Sequence, residues 1–196
     1  MEGIKGFIRF IESINEYLGR AVSWITFALV MLVFVDVVMR YALKTSFVFV
    51  QEMEWHLFSV IFLLGAGYTL LHDEHVRVDI FYQRMSKKGR AWVNLVGTTF
   101  FLFPGCYMIV ATAIPFAMDS FAVLEGSPDP GGVPFRFLLK SAVPLGFIFV
   151  MLQGVSLFLK SLMTVLGKDL DADLNREATK DPKPIILKTE SETKEG

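Results

Sequence analysis

Four long stretches almost free of charge decide what this chain can become. They lie at about 21–41, 53–71, 91–118 and 141–163. A bilayer core about 30 Å thick needs roughly 20 apolar residues in a helix. Each stretch is near that length or longer. Backbone groups in lipid must find partners within their own segment, so each run is expected to be a helix. The alternation that builds membrane barrels is not seen. The expected fold class is therefore an all-α integral membrane protein with four transmembrane helices. Charged residues are 20% of the 196 positions, and they gather between the runs instead of spreading as on a soluble surface. The net charge of −1 gives no reason to expect a nucleic-acid partner.

The ends of the chain read differently. Ile4, Phe7, Ile8, Ile11, Ile14 and Leu18 recur at helical spacing, with Lys5, Arg9, Glu12 and Glu16 largely between them. Residues 1–20 are thus expected to form an amphipathic helix that precedes the first span, lying in the membrane interface or packing on a partner. They do not read as a cleavable signal, because the apolar run starts late and lacks an A-x-A site. Residues 21–166 form the membrane domain. From 167 to 196 the chain is polar and mixed in charge, which reads as a mostly disordered tail. The third run contains Pro104 and Pro115, so a kink or tilt is expected there. Gly65, Gly67, Gly146 and Gly154 offer places for close helix approach.

Lysine and arginine distribution sets the expected orientation. The amino-terminal segment, the 77–90 loop and the tail are rich in both residues. The other two loops hold only Arg40 and Lys44, then Arg136 and Lys140. By the positive-inside rule both termini and the 77–90 loop are cytoplasmic, with the Pro/Gly-punctuated 126–134 loop outside.

Chemistry-bearing residues are few. His56 and His72 stand about 24 Å apart along one helix, and no other span carries a histidine, so a bis-histidine haem or shared metal is not expected. The single cysteine, Cys106, lies in an apolar run and reads as buried and inert. No phosphate-binding loop, HExxH or nucleophile elbow occurs. No catalytic centre, cofactor or metal is expected. The informative signal is charge at span ends. Asp36 and Arg40 share a face one turn apart, and Glu52 and Glu54 open the next span at the same level. They form either an ion relay or a cluster that pins helices together; the spans that follow carry no charge to continue a relay, which favours the cluster. A second group, His75, Arg77 and Asp79, is either an ordered elbow or a solvated loop.

Several features in order resemble the small, DctQ-like permease subunit of tripartite ATP-independent periplasmic (TRAP) transporters. They are Arg40-Tyr41, then Gln51-Glu52-Met53-Glu54-Trp55, Gly65-Ala66 and His75-Val76-Arg77-Val78-Asp79. Gly131-Gly132-Val133-Pro134, Lys140, Pro144-Leu145-Gly146-Phe147 and Gln153-Gly154 follow. The resemblance covers about 19–166. It implies a subunit without catalysis, located in the bacterial inner membrane. The resemblance implies that the subunit scaffolds a large permease subunit and helps dock a periplasmic substrate-binding protein, which are its implied partners. The implied transport is sodium-driven uptake of an organic acid such as a dicarboxylate or keto acid. Asp36, Arg40, Glu52, Glu54, Trp55, His75, Arg77, Asp79, Gly132, Pro134 and Lys140 become candidates for structural or subunit contacts. Membrane lipid is the remaining partner. The competing classes are a membrane anchor for a redox enzyme, which would show a haem or quinone site, and a self-contained small channel.

Overall fold

The computed structural model describes residues 2–72, 84–168, 170 and 174. Its elements are helices. They are α1 (Glu2–Ala42), α2 (Val48–Leu71), α3 (Lys87–Gly97), α4 (Phe103–Ala122) and α5 (Arg136–Val165). A π-helical turn, Thr98–Leu102, joins α3 to α4, so Lys87–Ala122 runs as one path of 36 residues. Among the described residues, four helices are thus long and apolar enough to cross a membrane.

Each helix reaches beyond its apolar run, because charged turns such as those that begin at Lys87 and Arg136 are themselves helical. The largest extension is at the amino terminus. The segment expected as a separate amphipathic helix is continuous with the first span, giving 41 residues in α1, or about 60 Å. Its apolar stripe is not its buried face. Ile8 and Ile11 are buried, but Ile4 and Phe7 are exposed, and the buried side also holds Lys5 and Asn15. Ile8 packs with Leu170 and Leu174, from the segment read as tail, and with Leu159 and Met163 of α5.

The π turn has a local cause. Pro104 lacks an N–H, and its ring crowds the carbonyl one turn back. The helix widens just before it, and the Phe103 N–H bonds to the Thr98 carbonyl, five residues back. The irregularity expected of the third span is therefore a widened turn. Pro115 lies inside α4.

The main packing runs in a row: α1 on α2, α2 on α5, and α5 on α4 and α3. α5 is the central member, with 39% of its most apolar stretch buried inside the chain against 11% for α1. Gly146 lets α2 and α5 touch backbone to backbone: a Cβ there would lie 2.6 Å from the Leu63 carbonyl oxygen. Leu70, Cys106 and Val150 knit α2, α4 and α5 together. Toward its amino terminus α1 also reaches α5. The Asn15 side-chain amide donates to Gln153 Oε1 at 3.2 Å, and Glu12 accepts from Ser156 Oγ and pairs with Lys160. His72, at the end of α2, meets Glu16 at 3.0 Å.

Candidate functional site

The densest polar arrangement lies at the opposite end of the bundle, where the α4–α5 loop folds over the start of α2. Glu52, in the first turns of α2, is buried. Its two oxygens bond to different points of that loop. The Ser127 hydroxyl donates to Oε1 at 2.5 Å, and the Val133 N–H donates to Oε2 at 2.6 Å. The loop closes on itself as well. The Ser127 N–H donates to the Val133 carbonyl at 2.9 Å, and the Asp129 N–H to Ser127 Oγ at 3.1 Å. The turn Asp129-Pro130-Gly131-Gly132 carries a 3.0 Å bond from the Gly132 N–H to the Asp129 carbonyl. Proline presets its second residue, and Gly131 takes the positive φ of 79° that its third requires. Gly132 has no room for a side chain, because a Cβ would lie 2.5 Å from both Glu52 Oε2 and Ser127 Oγ.

His56, one turn after Glu52, is buried, and its Nδ1 is 2.7 Å from the Glu52 carbonyl. A carbonyl only accepts, so Nδ1 carries the proton in that bond. Trp55 lies against the His56 ring, and the Arg136 guanidinium is 5.9 Å from the Trp55 ring centroid.

A second carboxylate fastens the near end of the loop. Glu125 accepts from Lys140 Nζ and, at 2.7 Å, from Ser120 Oγ. The Lys140 bond, then the Ser120 bond, hold the Glu125 carboxyl below its ordinary value of 4.5. The lysine also lies over the Phe116 ring, 4.3 Å from its centroid. Glu52 and Glu125 thus tie the loop to α2 and to α5.

The third group joins α1 and α2. Arg40 bonds to Asp36 at 2.5 Å; Asp36 is buried, and Arg40 is half exposed. Glu54 lies within electrostatic reach of both. Asp36 Oδ1 and Glu54 Oε1 are closed off from solvent with no hydrogen-bond partner among the described residues.

The structure therefore divides the carboxylates that the sequence placed together. Arg40 is bonded to Asp36 on its own helix, and Glu54 faces that pair, whereas Glu52 turns to the loop. Gly132 and Lys140 join the loop fastening, Trp55 flanks it, and Pro134 follows Val133 on the exposed side. His75, Arg77 and Asp79 lie outside the described residues. Sequence reasoning missed Ser127 and Glu125 as contact residues, since neither falls in a periodic pattern. The arrangement is a mechanical one: donors and acceptors fix a loop on two helices. Among the described residues no three His, Cys, Asp or Glu side chains are grouped as metal ligands would be.

The family model described as "Tripartite ATP-independent periplasmic transporters, DctQ component" matches residues 29–164. A Haemophilus influenzae protein named as a TRAP transporter small permease protein is 24% identical over 126 residues, 61% of this chain and 78% of the relative. The ectoine TRAP transporter small permease protein TeaB of Halomonas elongata is 27% identical over 128 residues, 65% of this chain. That match spans 64% of TeaB, a little under two thirds of its length. No solved structure matches.

Proposed function

Because this chain belongs to the DctQ component family of tripartite ATP-independent periplasmic transporters, we propose that it is the small membrane subunit of such a transporter, scaffolding a large permease subunit. In this reading a periplasmic binding protein delivers the solute, and a sodium gradient drives its uptake. The chain sits in a bacterial inner membrane with both termini in the cytoplasm, as the lysine and arginine asymmetry favours. The cargo is an organic acid; one relative is named for ectoine, so both solute types belong in the test.

The observation that carries the scaffold role is the row of helices. A carrier surrounds its solute and presents donors or cations near the middle of the membrane, commonly from broken helices. Here the α1–α2–α5–α4 row leaves two broad sides open, and the buried acids Asp36 and Glu52 stand at helix ends. Such a row suits a flank for a larger membrane protein.

The test is uptake into proteoliposomes with a sodium gradient and loaded binding protein. The expected result is no uptake by this chain alone and full uptake when it is paired with the large subunit. Solute-dependent uptake by this chain alone would overturn the scaffold reading.

A further inference from the structure

We propose that Glu54 is a proton-binding site, a neutral carboxylic acid held between α1 and α2 beside the Asp36–Arg40 pair. The inference concerns this chain by itself and stands apart from the transporter reading.

The first observation is a charge count. Asp36 is 2% exposed, and Arg40, one turn later, bonds to its Oδ2 at 2.5 Å. That guanidinium balances one carboxylate. Glu54 brings a second acid from α2 within electrostatic reach of both, and Asp36 and Arg40 are the charged groups that act on it. Lys44, the next cation along the chain, is exposed in the α1–α2 connection. Glu52, half a turn before Glu54, is committed to the α4–α5 loop. Two ionised acids and one base would leave a negative charge uncompensated between two apolar helices, where ionised groups are costly.

The second observation is what two oxygens lack. Asp36 Oδ1 and Glu54 Oε1 are closed off from solvent and have no hydrogen-bond partner among the described residues. An ionised carboxylate only accepts hydrogen bonds. A carboxylate shut away without a donor escapes that penalty by taking up a proton.

Space selects the ligand. Both oxygens are closed off within this chain alone, so a side chain of another protein has no access to them. A hard metal ion such as Mg2+ or Ca2+ takes about six oxygens, and this group has two without partners. A proton needs no room and one acceptor. It belongs on Glu54, because the guanidinium is bonded to Asp36. There it turns an acceptor into a donor, with Asp36 Oδ1 as the unpartnered acceptor nearby. The step is an addition: water supplies the proton, an O–H bond forms on Glu54, and no electrons are exchanged. The group of three side chains then carries no net charge.

The experiment uses the full chain in lipid nanodiscs at neutral pH, comparing wild type, E54Q and D36N by infrared spectroscopy and thermal unfolding. Wild type should show the C=O stretch of a protonated carboxylic acid. E54Q should lose that band and keep the wild-type Tm, since an amide replaces a group that was already neutral. D36N should keep the band at a shifted frequency, because the acceptor changes from a charged to a neutral oxygen. A wild-type spectrum without the band overturns the proposal, as does a band that survives in E54Q. Should E54Q fail to fold, D36N decides, and a band it leaves unmoved places the acid elsewhere. Unfolding is repeated in sodium and in potassium salts. A wild-type Tm raised by sodium, with no such rise in E54Q, would make the ligand a metal ion and overturn the assignment.

Discussion

At the scale of single residues, three side-chain arrangements can be tested by substitution. Glu125 is held below its ordinary value of 4.5 by Lys140 and Ser120. A depressed carboxyl contributes stability that is fully present above its unfolded value and lost as pH falls through the folded one. Protection of the Phe137 amide, which donates to the Glu125 carbonyl, should therefore fall on acidification below the usual glutamate range. In E125Q that acid step should vanish, with protection already lower at neutral pH. Gly132→Ala is expected to loosen the same loop, because its Cβ has no space beside Glu52 and Ser127; faster exchange at Val133 is the readout. Arg40→Ala leaves buried Asp36 without its cation. The cost should be about 1–3 kcal/mol, with Arg40's half exposure keeping it from being larger. A lower Tm in detergent, partly restored in R40K, checks this; an unchanged Tm would mean that Asp36 is satisfied in another way. The Asp36–Arg40 pair was legible in the sequence because one helical turn separates its members. The partners of Glu52 were not, since no local period links residues so far apart in the chain.

At the scale of elements, the four spans could be read because lipid leaves a chain little choice but helix. Their ends could not. Apolar runs mark only the uncharged part of a helix, and charge-bearing turns such as 87–90 and 136–140 stay helical beyond it. The continuity of α1 was hidden for another reason. The change near residue 20 from a pattern with interspersed charges to an apolar run reads as a boundary, yet Gly19 beside it is the point where Tyr68 of α2 lies against the α1 backbone. Close packing accounts for that glycine, and the helix passes through it. Two other glycines make a paired prediction. Gly146→Ala should push Leu63 and α2 away from α5 and lower Tm by several degrees. Gly105→Ala meets nothing within 4 Å and should be neutral or stabilising by about 0.5–1 kcal/mol. Thermal unfolding of both variants in one detergent checks the contrast, and equal Tm changes would contradict it.

At the scale of the whole molecule, orientation is the open quantity that the proposed role needs. In a Cys106→Ala background, a membrane-impermeant thiol reagent added outside should reach D129C and not K88C. The reverse pattern would invert the assignment and remove the loop from contact with any periplasmic protein. Composition gave the membrane class and the ordered motifs gave the family. The row of helices was not legible, because apolar residues surround each span and lipid-facing and protein-facing sides look alike in sequence.

The length of α1 has a mechanical consequence. It is a single rod of about 60 Å with no proline along it. One end carries Asp36 and Arg40, and the other carries Ile8 against Leu170 and Leu174. A change of tilt by about ten degrees would swing one tip by roughly 10 Å relative to the other. Whatever leans on the Arg40 end of this lever therefore moves the amino terminus too, with no hinge between them to absorb the motion.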